Sequence, residues 1–394
     1  MNPVYLDNNA TTMVAPEVLE AMLPFFGELY GNPSSMHTFG GEVGHRLKKA
    51  RADAAETLGC APEEIIFTSC GSESDNTAIR SALAAQPDKR HLITTRVEHP
   101  AVLSLAKHLE EKDYEVTYLG VDEKGRLDLG ELSRAIRKDT ALVSVMYANN
   151  ETGTIFPIPE IAALCKERGV LVHTDAVQAV GKVGIDLAEL PVDMLALSGH
   201  KLHAQKGVGL LYVRRGTPYR PFLIGGHQER GRRAGTENTA GIIGLAKAMT
   251  LAHDNMVEEN TRVKALRDRL EQGILASVPD TIVNGDPDNR LPNTSSIAFK
   301  YVEGEAILLM LDQYGICASS GSACTSGSLE PSHVLRAMGV PFTFAHGSIR
   351  FSLSRYTTDK DVDLVLEVMP KVIDTLRRMS PFNEKTPPKQ ACTC

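Results

Sequence analysis

Lys201 stands where a lysine can do more than carry charge. It follows a short apolar run, Met194-Leu195-Ala196-Leu197, and a Ser198-Gly199 turn. The run reads as a buried strand and the turn as its end. A lysine at a strand end faces a cleft rather than a helix surface, which makes its amine a candidate for Schiff-base chemistry. An unperturbed amine of pKa about 10.4 is almost wholly protonated at neutral pH. It must be desolvated or held as an imine before it can act as a base. Most lysines are solvated surface charges, so the neighbouring segments decide.

Asp175 ends another strand-like run, Val172-His173-Thr174. A carboxylate there can pair with a protonated ring nitrogen, and Gln178, on the next turn, can reach a ring oxygen. An aspartate after a strand is commonly a helix cap. The pairing of strand–Asp with strand–Ser-x-His-Lys is more specific than either half. His99 lies at a further strand-to-helix junction, where an imidazole can stack on a planar group and move protons near neutral pH. Gly71-Ser72 opens a helix, and exposed N–H groups at a helix start form an anion site. Ser72 also suits an ordinary N-cap.

Cys324 sits in a Ser/Gly-rich stretch, Ser319-Ser320-Gly321-Ser322-Ala323-Cys324-Thr325-Ser326-Gly327-Ser328. Structural cysteines usually occupy apolar runs. An accessible thiol on a mobile loop suits nucleophilic chemistry, but an unperturbed thiol is only about 3% thiolate at pH 7. The site must activate it or bring in an ionised partner; a linker with a passive cysteine is the alternative. Arg350 lies in the strand-like Ile349-Arg350-Phe351 and can clamp a carboxylate with two parallel hydrogen bonds; an interdomain salt bridge would use it equally. The stretch at 225–238 is glycine-rich and locally basic, suited to phosphate contacts within the chain or across a dimer, or to a solvated loop.

These residues need a scaffold. With 394 residues, the chain exceeds one typical core, so a large and a smaller domain are expected. A net charge of −7 argues against a nucleic-acid binder. No apolar run approaches the roughly 20 residues needed to span a bilayer, and the first residues lack the basic and apolar regions of a signal peptide. The seven cysteines are irregularly spaced without a Cys-x-x-Cys pair. That fits a reducing cytoplasm better than a disulfide framework or zinc ribbon.

Strand and helix patterns alternate from residue 64 to 213. Strands are expected at 64–68, 91–95, 115–119, 140–146, 170–174 and 194–197, separated by helices at 73–83, 100–109, 128–136 and 158–168. The fold class is therefore α/β, with a mostly parallel sheet covered by helices on both faces. In such sheets ligands sit at the carboxyl ends of the strands. A helical stretch at 238–277 leads into a smaller α+β C-terminal domain. The expected organisation is an N-terminal arm at 1–15 packing with the small domain, a large domain at 16–255, a small domain at 256–380 carrying the Cys324 loop, and a disordered tail at 381–394. Cys392-Thr393-Cys394 offers two thiols to a metal, against the simpler reading of a frayed terminus.

Taken in order, the segments carry a recognisable set of words: YLDNNATT at 5–12, GNPSS at 31–35, TSCGSESDN at 68–76, EHPAV at 98–102, ANNETG at 148–153, HTDAVQ at 173–178, SGHKLHAQKG at 198–207, RRAGTEN at 232–238, SSGSACTSGSLEPSH at 319–333 and IRFSLSRYTT at 349–358. The sequence resembles the cysteine desulfurases of the NifS/IscS type, within the class-V aminotransferase group of fold-type I pyridoxal-phosphate enzymes. It looks closest to the NifS branch that serves nitrogen fixation.

The resemblance implies pyridoxal 5'-phosphate as cofactor and Lys201 as its Schiff-base lysine. It implies Lys201, Cys324 and His99 as catalytic residues, with Asp175 on the ring nitrogen and Gln178 on the ring oxygen. Gly71, Ser72, Ser198, His200 and Thr236 are implied to hold the phosphate, Thr236 from a second subunit. Asn150 joins the cofactor site, and Arg350, Asn150 and Asn32 the substrate site. Cys324 would take sulfur from L-cysteine as a persulfide and leave alanine. It is also a candidate transient ligand to an iron–sulfur cluster. The implied setting is a cytoplasmic homodimer that passes sulfur to an iron–sulfur scaffold protein of the NifU/IscU kind, with no nucleic-acid or membrane partner. Where the family often has threonine at position 72, Ser72 keeps the hydroxyl.

An aminotransferase or selenocysteine lyase would share Lys201 and Asp175 without needing Cys324 in a long loop. A sulfur relay would use the cysteines but leave Lys201, Asp175 and Arg350 unexplained. No Gly-x-Gly-x-x-Gly follows a first strand, which disfavours a dinucleotide-binding dehydrogenase.

Overall fold

The computed structural model describes residues 3–320 and 331–382. Its strands are β1 (Val4–Tyr5), β2 (Ile65–Thr68), β3 (His91–Thr95), β4 (Glu115–Leu119), β5 (Thr140–Ser144), β6 (Leu171–Asp175), β7 (Met194–Ser198), β8 (Gly209–Val213), β9 (Thr281–Asn284), β10 (Thr294–Phe299), β11 (Ile316–Cys317) and β12 (Ser348–Ser352). A seven-stranded sheet in the order β2-β8-β7-β6-β5-β3-β4 forms the centre of the fold.

Strands with both faces covered read as continuous apolar runs rather than alternating ones. Strand β2 shows why: Ile65 and Phe67 join one core, while Ile66, between them, joins another. The second core is closed by helices Gly71–Ala84 and Pro100–Glu110, through Ala78, Ile79, Val102 and Leu105. The first is closed by helices Thr38–Leu58, Ile158–Glu167 and Thr239–Asp254.

The sheet is mostly parallel, as its alternation with helices requires. Strand β8 is the exception, antiparallel to both β7 and β2. Only a short turn region separates β7 from β8, too little chain for the crossover that a parallel pair needs. The helical stretch expected at 238–277 is interrupted. Thr239–Asp254 stops before Asn255, and a π-helical turn at Glu259–Val263 precedes Lys264–Ser277.

Strands β12, β10 and β9 form an antiparallel sheet covered by helices Lys264–Ser277 and Asp359–Met379. This α+β unit has its own core, including Phe299, Ile349, Phe351, Val365 and Met369. Leu6 of the N-terminal arm is fully buried in the same core. Strand β1 pairs in parallel with β11, and Asn8 Nδ2 donates to Ser352 O at 2.8 Å. Among the described residues, no helix is long and apolar enough to cross a membrane.

Candidate active site

Parallel strands deliver their carboxyl ends to one edge of the sheet. A cavity of about 360 Å³ opens there, lined by Gly71, Ser72, His99, Asn150, Asp175, Gln178, Ser198, His200, Lys201 and Arg350. The sequence points to these ten residues in six separate segments, and the fold brings them together.

Lys201 ends the single 3-10 turn Gly199–Lys201 directly after β7. Its Nζ donates to the carbonyls of Asn9 and Ala10, each at 2.6 Å. The polar arm at 5–12 therefore fixes the lysine's direction as well as covering the cavity. Gln178 is tied to the same arm, its Nε2 donating to Asn9 O at 3.0 Å.

Asp175 is the last residue of β6, and its Oδ1 accepts from Val177 N–H at 2.9 Å. Burial pushes its carboxyl up, opposed by His99, the Val177 N–H and Lys201. A cation laid against it would hold it ionised. His99 caps the helix Pro100–Glu110, and its Nδ1 accepts from Ala101 N–H at 3.1 Å. That lone pair is committed, so the neutral ring carries its proton on Nε2. Burial lowers the His99 pKa, Asp175 opposes this, and Lys201 and His333 reinforce it.

The helix Gly71–Ala84 begins two residues earlier than its sequence suggests. Its N-cap is Cys70, and no side chain caps it. Ser72 is thus not the cap but lies in the first turn, which leaves its N–H groups to a ligand. A Cβ on Gly71 would come within 2.8 Å of Val177 Cγ2, so glycine is required for this close approach. Ser198 Oγ and Gln178 Oε1 are buried without a hydrogen-bond partner among the described residues. An anion-binding helix start, the unused Ser198 hydroxyl, and a carboxylate awaiting a cation match a phosphate-bearing ring with a protonated nitrogen.

Arg350 projects from β12 at the mouth. Its Nη2 meets Asp7 Oδ1 at 2.8 Å and its Nη1 donates to Asn150 O at 2.9 Å, while Nε is buried without a partner among the described residues. Both readings of Arg350 thus have a physical basis, since the guanidinium bridges two units and still lines the cavity. Its backbone pairs with Ser319, through Ser319 N to Arg350 O at 3.2 Å and Arg350 N to Ser319 O at 2.7 Å. His333 Nε2 lies 2.9 Å from Glu98 O, next to the cavity-lining His99. In sequence Cys324 falls between Ser319 and His333; it lies outside the described residues, and so do Cys392 and Cys394. Among the described residues no cluster of His, Cys, Asp or Glu suits a metal ion.

Asn32 and Thr236 are not brought to this cavity. Asn32 is exposed, its Oδ1 accepting from Ser34 N–H at 2.9 Å. It precedes the helix Thr38–Leu58 in a loop that no strand carries to the sheet edge. Thr236 is exposed in the loop after Arg233. Arg233 Nε itself meets Glu73 Oε1 at 2.8 Å, which holds that loop beside the helix start.

Sequence reasoning passed over Asp7, Asp75 and Glu98. Asp75 lines the cavity and is 1% exposed. A carboxylate four residues after Gly71 falls on the same helix face, and that spacing was the available signal. Glu98 precedes the selected His99 and is fully buried, accepting from Thr95 Oγ1 at 2.8 Å and Met146 N–H at 3.0 Å.

Fold and site together define an enzyme of the α/β type whose cavity at the strand ends suits a phosphate-bearing ring. The aminotransferase class-V family model matches residues 4–365, and the chain belongs to that family. Within it, the chain belongs to the cysteine desulfurases of the NifS type. It is 62% identical to cysteine desulfurase 2 of Trichormus variabilis, over 97% of this chain and 96% of that protein. It is likewise 62% identical to the cysteine desulfurase NifS of Azotobacter vinelandii, over 97% of this chain and 95% of that one. A solved NifS-like protein superposes with a TM-score of 0.90 at 41% identity, covering 95% of this chain and all of the other.

Proposed function

We propose that this enzyme removes sulfur from L-cysteine, leaving L-alanine and a persulfide on Cys324. The observation that carries this reading is the convergence of Lys201, Asp175, Gln178, Ser198 and the uncapped start of Gly71–Ala84 on one cavity, with Arg350 at its mouth. Pyridoxal phosphate supplies an electron sink for charge left at the amino acid's α-carbon.

Gly71, Ser72, Ser198 and His200 hold the phosphate, and Thr236 joins them from the second subunit of a homodimer. With the cofactor bound, Asp175 would hold a proton on the ring nitrogen, Gln178 would serve the ring oxygen, and His99 would stack on the ring and move protons through Nε2. Lys201 Nζ anchors the cofactor and moves the α-proton of cysteine. Asn150 and Arg350 orient the substrate carboxylate, a task for a planar fork of donors. Asn32 lies outside this cavity and takes no part in the proposal.

The Cys324 thiolate attacks the substrate sulfur. A sulfur–sulfur bond forms, the carbon–sulfur bond breaks, and its electron pair stays with carbon, which takes up a proton and ends as alanine. The described residues on either side of the Cys324 stretch in sequence are held, Ser319 by backbone hydrogen bonds to Arg350 and His333 beside Glu98 O. Transfer outward goes to a scaffold protein for iron–sulfur assembly in the cytoplasm, in the service of nitrogenase maturation. On this reading Cys324 is also a transient ligand to the cluster being built.

Anaerobic assay of sulfide and alanine from L-cysteine tests the reading. Wild type should release both, and Cys324→Ala and Lys201→Ala should not turn over. Full sulfide release by Cys324→Ala, or no binding of pyridoxal phosphate, would refute it. A sulfur relay would release no alanine.

A further inference from the structure

The floor of the cavity holds a carboxyl group that this chemistry leaves unused. Asp75 Oδ1 faces His173 Nε2 at 3.5 Å, and neither atom has a hydrogen-bond partner among the described residues. Both residues are buried. The other ring nitrogen of His173, Nδ1, lies 2.9 Å from Ser144 Oγ. His173 and Asp175 are two positions apart on β6, so both project from the face against which Asp75's helix packs.

The titratable groups facing Asp75 are His173 and Asp175 from β6, Glu98 from the segment after β3, and Cys70 at its own helix start. No lysine or arginine is among them. Two buried lone pairs cannot face each other without cost, so a proton belongs between Asp75 and His173. It can sit on Asp75, on Nε2 beside an ionised Asp75, or accompany a second ring proton in an ion pair. The last two placements bury a carboxylate next to Asp175. Burial, with Asp175 next in weight, pushes the Asp75 carboxyl well up, and burial pushes the His173 imidazole down to about 3.

We propose that Asp75 is a positioning residue that stays protonated, donates to His173 Nε2, and leaves Asp175 to carry the negative charge at the ring end of the cavity. His173 then carries its own proton on Nδ1 and donates it to Ser144 Oγ. An ionised Asp75 would raise the proton affinity of Asp175. Asp175 would then accept a proton where it must instead stabilise one on the ring. This proposal rests on the reading of Asp175 as the ring's partner; the position of the His173 proton is measured independently of it.

The test uses the full chain labelled with 15N-histidine at neutral pH, with and without pyridoxal phosphate. The His173 signals are assigned by their disappearance in His173→Gln. Nitrogen NMR should show His173 protonated on Nδ1 alone, in wild type and in Asp75→Asn, whose carboxamide N–H replaces the acid's O–H. Infrared spectroscopy should show loss of one protonated-carboxyl component in Asp75→Asn. In loaded protein, the pH midpoint of the visible absorbance should not move in this variant, because no charge has been removed. A proton on Nε2, protons on both nitrogens, an unchanged carboxyl band or a shifted midpoint would each overturn the proposal. A chain that binds no pyridoxal phosphate would sink the proposed function, while the unloaded chain would still report the His173 proton.

Discussion

Arg350 and Asp7 form an ion pair of 2.8 Å between residues 343 positions apart. The pair ties the N-terminal arm to β12 at the mouth of the cavity, and Asn150 O takes a second guanidinium hydrogen bond. A lysine in this place would keep charge but lose the planar fork. Arg350→Lys should therefore raise KM for L-cysteine by roughly 10-fold or more, since a hydrogen bond to a charged group contributes about 1.5–3 kcal/mol. Steady-state kinetics should show kcat falling less than kcat/KM.

Lys201 makes a different prediction. Its Nζ rests on the Asn9 and Ala10 carbonyls, and among the described residues no other lysine or arginine lines the cavity except Arg350. Lys201→Ala should cut alanine formation by about a thousandfold or more. Pyridoxal phosphate held by the remaining contacts should be removable by dialysis, followed by absorbance.

Glu98 makes stability depend on pH. Burial raises its carboxyl pKa to about 8, against the opposing hydrogen bonds from Met146 N–H and Thr95 Oγ1. The unfolded glutamate titrates near 4.3. Between these values the folded chain holds a proton that the unfolded chain has lost, so Glu98's contribution declines as pH rises from about 4 to about 8. Glu98→Gln keeps both acceptor contacts and cannot ionise. Its stability relative to wild type should increase across that window in urea titrations; a constant difference would refute the assignment.

Glu229 anchors the basic loop from within. It is 7% exposed, its carboxylate meets Arg51 at 2.6 and 2.9 Å, and it accepts from Phe67 N–H at 3.1 Å. Removing one partner of a buried ion pair costs about 3–5 kcal/mol. Glu229→Ala should lose stability of that order in denaturant unfolding.

The groups that approach the cavity from strand ends were legible in the sequence. Lys201, Asp175 and His99 each follow a run whose apolar character marks a buried strand, and the rule for parallel sheets says where such ends meet. The Asp7–Arg350 contact was hidden because no local pattern links the arm to β12. Ser72 read equally as a cap, and only the helix start at Gly71 separates the alternatives. The reversed direction of β8 follows from a short connection whose length is plain only once both strand ends are fixed. Asp75 looked like one polar residue among several in TSCGSESDN until the fold set it against His173.

The pairing of β1 with β11 also bears on the order in which the enzyme is made. The arm emerges from the ribosome well before its partner Ile316–Cys317, which lies about 310 residues further on. At about 5–20 residues per second, that partner follows on the order of tens of seconds later. The Asn9 and Ala10 carbonyls that aim Lys201 are not fully anchored until then. A nascent large domain therefore carries the lysine without its finished setting, and chemistry at Lys201 awaits synthesis of the unit that also bears Arg350.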